Sequence, residues 1–403
     1  MFKILTNYNF KNLLFGRLLV NMGDSIYYIA AMWLVYQLGD SVTFTGIAGF
    51  LMLLPEIFSF LVGPLIEKME YKKILIVSSL GQGILISIIP LVYFLGFINI
   101  PIVLIILFLV AILNMFIYPV ENTIVPNIVK KESLVQANSM MSFSYQSMNL
   151  IFNSLTGILI LSIGISSVFL VSSLSFFIAI YMYSKLHINF QNINKMGHDI
   201  SMALYYKQLK EGFTFVLRHK IINKILFPIL LINLIFSAVI VVFPEYASTI
   251  GGSEYYGVLL TLYSGGLIIG TIISDYLTRY IQLGYLFVLG FLISGIFWIL
   301  FAYITEFSVF IGFTCLLIAA IPIGFANVFL NSYMQNILPQ KMLVRVSTIL
   351  ESIYSVAMPL GSLLGGYLGS LLGTDIFLFV NGFIILGISL YWLIIPKLRT
   401  IKL

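Results

Sequence analysis

Between Asn12 and Leu38 the chain reads NLLFGRLLVNMGDSIYYIAAMWLVYQL, 27 residues with a single carboxylate, Asp24, near the centre. At ~1.5 Å per residue such a helix crosses a ~30 Å hydrocarbon layer, with Asp24 close to the midplane. Buried in lipid, an ionisable group costs several kcal/mol, about 3 or more, so Asp24 must face water or a partner inside a helix bundle. Two readings follow: Asp24 handles protons or cargo, or it is a neutral hydrogen-bonding group that holds helices together. Eleven further apolar segments of spanning length follow the first, at about 43–66, 74–96, 101–124, 134–163, 166–187, 221–248, 254–278, 284–304, 307–335, 345–371 and 375–396.

Composition agrees with that reading. Of 403 residues, 60% are hydrophobic and 9% charged, against ~25% charged in soluble domains. The net charge of +6 therefore reflects basic loops, not a nucleic-acid surface. With both termini placed inside, all 21 Lys and Arg fall at cytoplasmic ends, among them Arg17, Lys72, Lys131 and Lys341. The outer loops keep only acids, such as Asp40, Glu254, Glu306 and Asp375. This asymmetry sets the orientation and would be scrambled by a miscounted helix. MFKILTNYNFK runs directly into the first span with no small-residue cleavage site, so the first helix is expected to be retained.

The twelve segments divide six and six. Residues 1–187 form an N-terminal bundle and 221–403 a C-terminal one, joined by a cytoplasmic linker at 188–220 with a basic amphipathic helix on the membrane surface. The halves repeat. ENTIVPNIVKKESLV from Glu121 aligns with LNSYMQNILPQKMLV from Leu330, an offset of 330 − 121 = 209, and Gly157 falls on Gly366 at the same offset. Parallel repeats of this kind belong to transporters whose site lies between the halves.

GPLIEKMEYKK (63–73) partly matches the loop pattern G-x-x-x-D-R-x-G-R-[RK] of the major facilitator superfamily, with Glu67 for the usual acid and with Met69 and Glu70 departing from it. GRLLVNMGDSIYYIAAMWLVYQL, YPVENTIVPNIVKKESLVQANSM, KEGFTFVLRHKII and RVSTILESIYSVAMPLGSLLGGYLG resemble the macrolide-efflux group of drug:proton antiporters in that superfamily. The resemblance implies an all-α fold of 12 transmembrane helices in two six-helix bundles. It further implies alternating access and export of amphipathic compounds driven by proton entry, in the plasma membrane. Glu121 departs from the group, which carries a basic or neutral residue there.

The candidate proton-coupling acids are Asp24, Glu56, Glu121 and Glu351. Glu56 lies ~15 Å from the inner end of its span, at a depth similar to that of Asp24, and two close carboxylates would push one pKa upward. Glu121 and Glu351 lie nearer the cytoplasmic ends, where pairing with Arg17 or Arg345 competes with a transport role. Gly63, Glu67, Lys68, Asp275 and Arg279 are the expected gating residues, because equivalent helix ends carry acids beside bases. Ser142, Tyr145, Gln146, Asn149 and Asn153 make a polar stripe at helical spacing that either lines a cavity, with Tyr27, or binds helices together.

The single cysteine, Cys315, lies in an apolar run, and none of the three histidines lies mid-membrane, so no metal site or cofactor is expected. The motifs of ATP binding and common hydrolysis, G-x-x-x-x-G-K-[ST], H-E-x-x-H and G-x-S-x-G, do not occur, so no enzyme is expected. The expected protein is a monomer whose partners are an amphipathic small molecule, protons and the bilayer. Uptake of a small solute, or export of a lipid or siderophore, stays open on the same fold. Cysteines introduced at Asp40, Asn99 and Thr374 should react with an impermeant thiol reagent from outside, and those at Lys72, Lys131 and Lys341 only from inside; one inverted loop would break the topology.

Overall fold

The structure is a computed structural model that describes residues 2–58, 66, 69–130, 133–187, 210, 213–216, 218–278, 280, 282–337 and 343–399. After a short 3₁₀ turn at Phe2–Thr6, the chain forms α1 Tyr8–Gly39, α2 Val42–Ile57, α3 Tyr71–Phe94, α4 Ile100–Asn114, α5 Ile117–Ile128, α6 Leu134–Ile163 and α7 Ile165–Ser184. Beyond the linker come α8 Lys220–Ile250, α9 Ser253–Thr278, α10 Leu283–Ile304, α11 Val309–Ile337, α12 Leu343–Leu372, α13 Thr374–Ile394 and the short α14 Pro396–Arg399.

Among the described residues, taking α4 and α5 as one span, ten helices are long and apolar enough to cross a membrane. Helix α6, bent by 44° between Asn153 and Leu155, makes an eleventh. Of the expected span 43–66, the described helix is the 16-residue α2. The expected surface helix lies largely outside the described residues, as do Gly63, Glu67, Lys68 and Arg279.

The break between α4 and α5 has a local cause. Pro119 has no N–H to give the Met115 carbonyl and its ring crowds that turn, so the helix opens at Met115–Phe116 and restarts at Ile117. Asn7, Asn99 and His219 cap the starts of α1, α4 and α8 with their side chains, whereas Ser133 before α6 does not. Asn7 accepts from Phe10 N at 3.1 Å while its amide donates to Ile128 O at 2.6 Å, tying the start of α1 to the end of α5.

The chain divides into two compact units, residues 1–40 with 47–200, and 41–46 with 201–403. In the first, α1 packs against α6 and α7, and α3 against α7 and α4. Small residues set that closeness. A Cβ on Gly16 would run into the Tyr183 ring and one on Gly23 into Ser175 and Phe176, while Ser172 Oγ donates to Gly23 O at 2.9 Å. At one end Lys72 Nζ donates to Ser184 O and Leu186 O at 2.5 and 3.0 Å, a cation on the carbonyl end of α7.

In the second unit α8 packs on α12, α9 on α11, and α10 on α11 and α13. Three of these pairings reproduce those of the first unit. The offset found in the sequence recurs in the backbone: α6 and α12 begin at Leu134 and Leu343, 343 − 134 = 209. They end on Gly164 and Gly373, also 209 apart, with φ 77° and 83°. Helices α9 and α11 approach until a Cβ on Gly270 would strike the Ile321 carbonyl, whereas Gly387 on α13 has nothing within 4 Å of its missing Cβ. Gly270→Ala should therefore cost ~1–3 kcal/mol by overpacking, read as a lower melting temperature in detergent. Gly387→Ala should leave it unchanged or slightly raised.

Candidate functional site

The polar side chains of the first unit gather on one face of α1. Arg17 Nη1 binds Glu121 Oε2 of α5 at 2.6 Å, with side-chain exposures of 8% and 1%. Tyr183 Oη of α7 donates to the other Glu121 oxygen at 2.8 Å. The guanidinium sits 5.2 Å from the Tyr118 ring centroid and 5.6 Å from that of Tyr145. An arginine survives so deep because charge, hydrogen bond and aromatic faces each replace part of its lost hydration. Gly16 is the condition for this arrangement, since a side chain there would displace Tyr183. Arg17, grouped with the cytoplasmic bases on sequence, is thus a buried residue of α1.

Asp24 lies seven residues further on the same face, two turns or ~10 Å along the axis. Its Oδ1 is buried and has no hydrogen-bond partner. The Asn114 side chain, brought in by the α4–α5 break, hydrogen-bonds with Asp24 and with Tyr27. Ser25 Oγ donates to Asn149 Oδ1 of α6 at 2.6 Å, and Asn149 hydrogen-bonds Tyr145 in turn. Asn21 Nδ2 and Asn153 Oδ1 are also buried without partners. Glu56 on α2 is exposed in this structure and acts electrostatically on Asp24, Tyr28 and Tyr145.

The structure therefore brings together Asp24, Glu56, Glu121, Tyr145 and Asn149. Tyr27, 4% exposed, packs beside Phe176 with ring centroids 6.3 Å apart, so its body is core and only its hydroxyl reaches Asn114. The side chains of Gln146, Asp275 and Glu351 lie outside the described part, although each belongs to a helix. Asn114, Tyr118 and Tyr183 were not legible as site residues. Pro119 carried a signal for Asn114, because a proline four residues after Met115 opens the helix there. Nothing in the sequence announced Tyr183. Among the described residues no group of His, Cys, Asp and Glu could hold a metal ion.

Two units of apolar helices, ten or eleven of them of spanning length among the described residues, define a polytopic membrane protein. The chain belongs to the major facilitator superfamily, whose model matches residues 13–361. It is 26% identical over 376 residues to the staphyloferrin A transporter of Staphylococcus aureus, covering 92% of this chain and 91% of that one. It is 23% identical over 392 residues to macrolide efflux protein A of Streptococcus pyogenes, covering 94% of each. The crystal structure of a bacterial homologue of the human lysosomal transporter Spinster superposes with a TM-score of 0.74 at 13% identity, covering 99% of this chain and 97% of that one. That likeness concerns the fold alone.

Removing one member of the buried pair leaves the other unpaired, so Arg17→Met or Glu121→Leu should each cost ~3–5 kcal/mol. The double variant Arg17→Met/Glu121→Leu should lose much less. A double-mutant cycle on melting temperature in detergent checks this, and additive losses would mean the two residues do not act as a pair.

Proposed function

We propose that this protein is a secondary active transporter that exports amphipathic small molecules by proton antiport with alternating access, and that Asp24 is the proton carrier. The observation that carries the assignment is the contrast between two buried acids. Both oxygens of Glu121 are occupied, by Arg17 and Tyr183, whereas Oδ1 of Asp24 has no partner. An acid whose two oxygens are held by an arginine and a tyrosine serves packing; a buried acid with an unclaimed oxygen can gain and lose a proton. Glu56 tunes Asp24 through space. Glu351, and the gate expected at Gly63, Glu67, Lys68, Asp275 and Arg279, keep their roles on sequence position alone.

The Arg17–Glu121 pair is neutral, so the charge of the cluster follows Asp24 and Glu56. Protonation outside makes Asp24 cheap to bury; release into the cytoplasm restores a charge that needs water. Cargo is offered the tyrosine faces and amides of α6, with Tyr145, Asn149 and Asn153 as the wall; Gln146 keeps its role on sequence position alone. In this reading the protein works in the plasma membrane as a monomer, with both termini cytoplasmic and each six-helix half, 1–187 and 221–403, acting as one bundle. Resemblance to macrolide efflux protein A supports an amphipathic cargo, and resemblance to the staphyloferrin A transporter supports siderophore export as the second reading.

In inverted vesicles or proteoliposomes, Asp24→Asn should abolish uphill, pH-driven export and preserve downhill exchange of the same dye. Glu56→Gln should shift the pH optimum with a smaller loss. Near-native pumping against a gradient by Asp24→Asn would falsify the assignment.

A further inference from the structure

The two units differ where their first and last helices meet. In the first, α1 and α7 pack along their length, because Gly16 and Gly23 admit Tyr183 and Phe176. In the second, the equivalent helices α8 and α13 touch far less. Helix α8 contains no glycine, and its face towards α13 carries Phe227, Pro228 and Leu231. These side chains hold α13 away and leave an open groove of about 300 Å³, whose other wall is Ile384, Gly387, Ile388 and Tyr391. Gly387 deepens the groove, with nothing within 4 Å of where its Cβ would stand.

From Ile384 to Tyr391 the groove runs ~10 Å, most of the ~15 Å hydrocarbon of one leaflet. One end is basic. The Tyr391 hydroxyl donates to the Lys224 carbonyl at 3.2 Å, which sets Lys224 at the mouth of the groove. Helix α14, which carries Lys397 and Arg399, packs against α8, α10 and α13. Lys397 is exposed, Lys224 and Arg399 are half-buried, and Arg399 Nε is buried without a partner. No Asp or Glu occurs in 212–244 or in 376–403 to neutralise them.

We propose that this groove is a binding site for an anionic phospholipid. One acyl chain lies between α8 and α13 over Gly387, and the phosphodiester rests against Lys224, Lys397 and Arg399. The assignment follows from charge complementarity: among the described residues, an apolar slot most of a leaflet long ends beside Lys224, and the adjoining α14 adds Lys397 and Arg399. A neutral chain would fit the slot but would gain nothing from its basic end. Each basic residue favours an anionic over a zwitterionic headgroup roughly fivefold.

Native mass spectrometry of the full-length protein in detergent, with equimolar phosphatidylglycerol and phosphatidylcholine, tests this. The wild type should retain one phosphatidylglycerol at least ~fivefold over phosphatidylcholine. Lys224→Gln/Lys397→Gln/Arg399→Gln should bring the two lipids to parity, and Gly387→Leu should lose the tightly held lipid altogether. Equal retention by the wild type, or a preference that survives in both variants, overturns the site. If Gly387→Leu does not fold, the triple variant decides alone: parity supports the site and an unchanged preference rejects it.

Discussion

The first unit depends on a charge that water cannot reach. Arg17 lies in α1 with its guanidinium on Glu121 and its faces against Tyr118 and Tyr145. Such a pair is stable only as a complete set, because either ion alone would be a bare charge in a medium that solvates it poorly. Completing the set requires α1, α5, α6 and α7 at fixed separations, so one ion pair dictates the spacing of four helices. Gly16 is part of the same constraint, as it is the gap into which Tyr183 fits.

Much of this architecture was legible in the sequence, since lipid permits few solutions. Apolar runs of spanning length must be helices, and the internal repeat reappears as helix starts and glycine turns at the same offset. Helix breaks were harder to read. The stretch 101–124 reads as one span and lies within one, Ile100–Ile128, but the turn at Met115–Phe116 that divides it into α4 and α5 was not anticipated. Asp24 was legible because a lone acid in an apolar run must either serve function or be held by hydrogen bonds inside the bundle. The role of Glu121 was not, because its choice between solvent and Arg17 depends on how far α5 turns towards α1. Tyr183 is one of 24 tyrosines, and only the fold distinguishes it.

The units divide the chemistry unequally. The ion pairs Arg17–Glu121 and Lys73–Glu70 lie in the first unit. In the second, the cavity lined by Phe236, Tyr263, Phe291 and Trp298 is apolar, and the rings of Phe236 and Tyr263 stack with centroids 5.7 Å apart. A repeat that duplicated the fold has thus kept the frame and let the contents diverge, since helix spacing is set by small residues and backbone while chemistry is set by a few side chains.

Gly164 and Gly373 have a mechanical consequence. Each is the whole connection between two long helices, α6 to α7 and α12 to α13, in a left-handed conformation that a side chain would strain. A one-residue joint has no slack. The adjoining ends of the last two helices of either unit are therefore tied together, and displacement of one end carries the other with it. Compliance is left to longer joints, to the bend of α6 between Asn153 and Leu155 and to the proline-opened turn at Met115–Phe116.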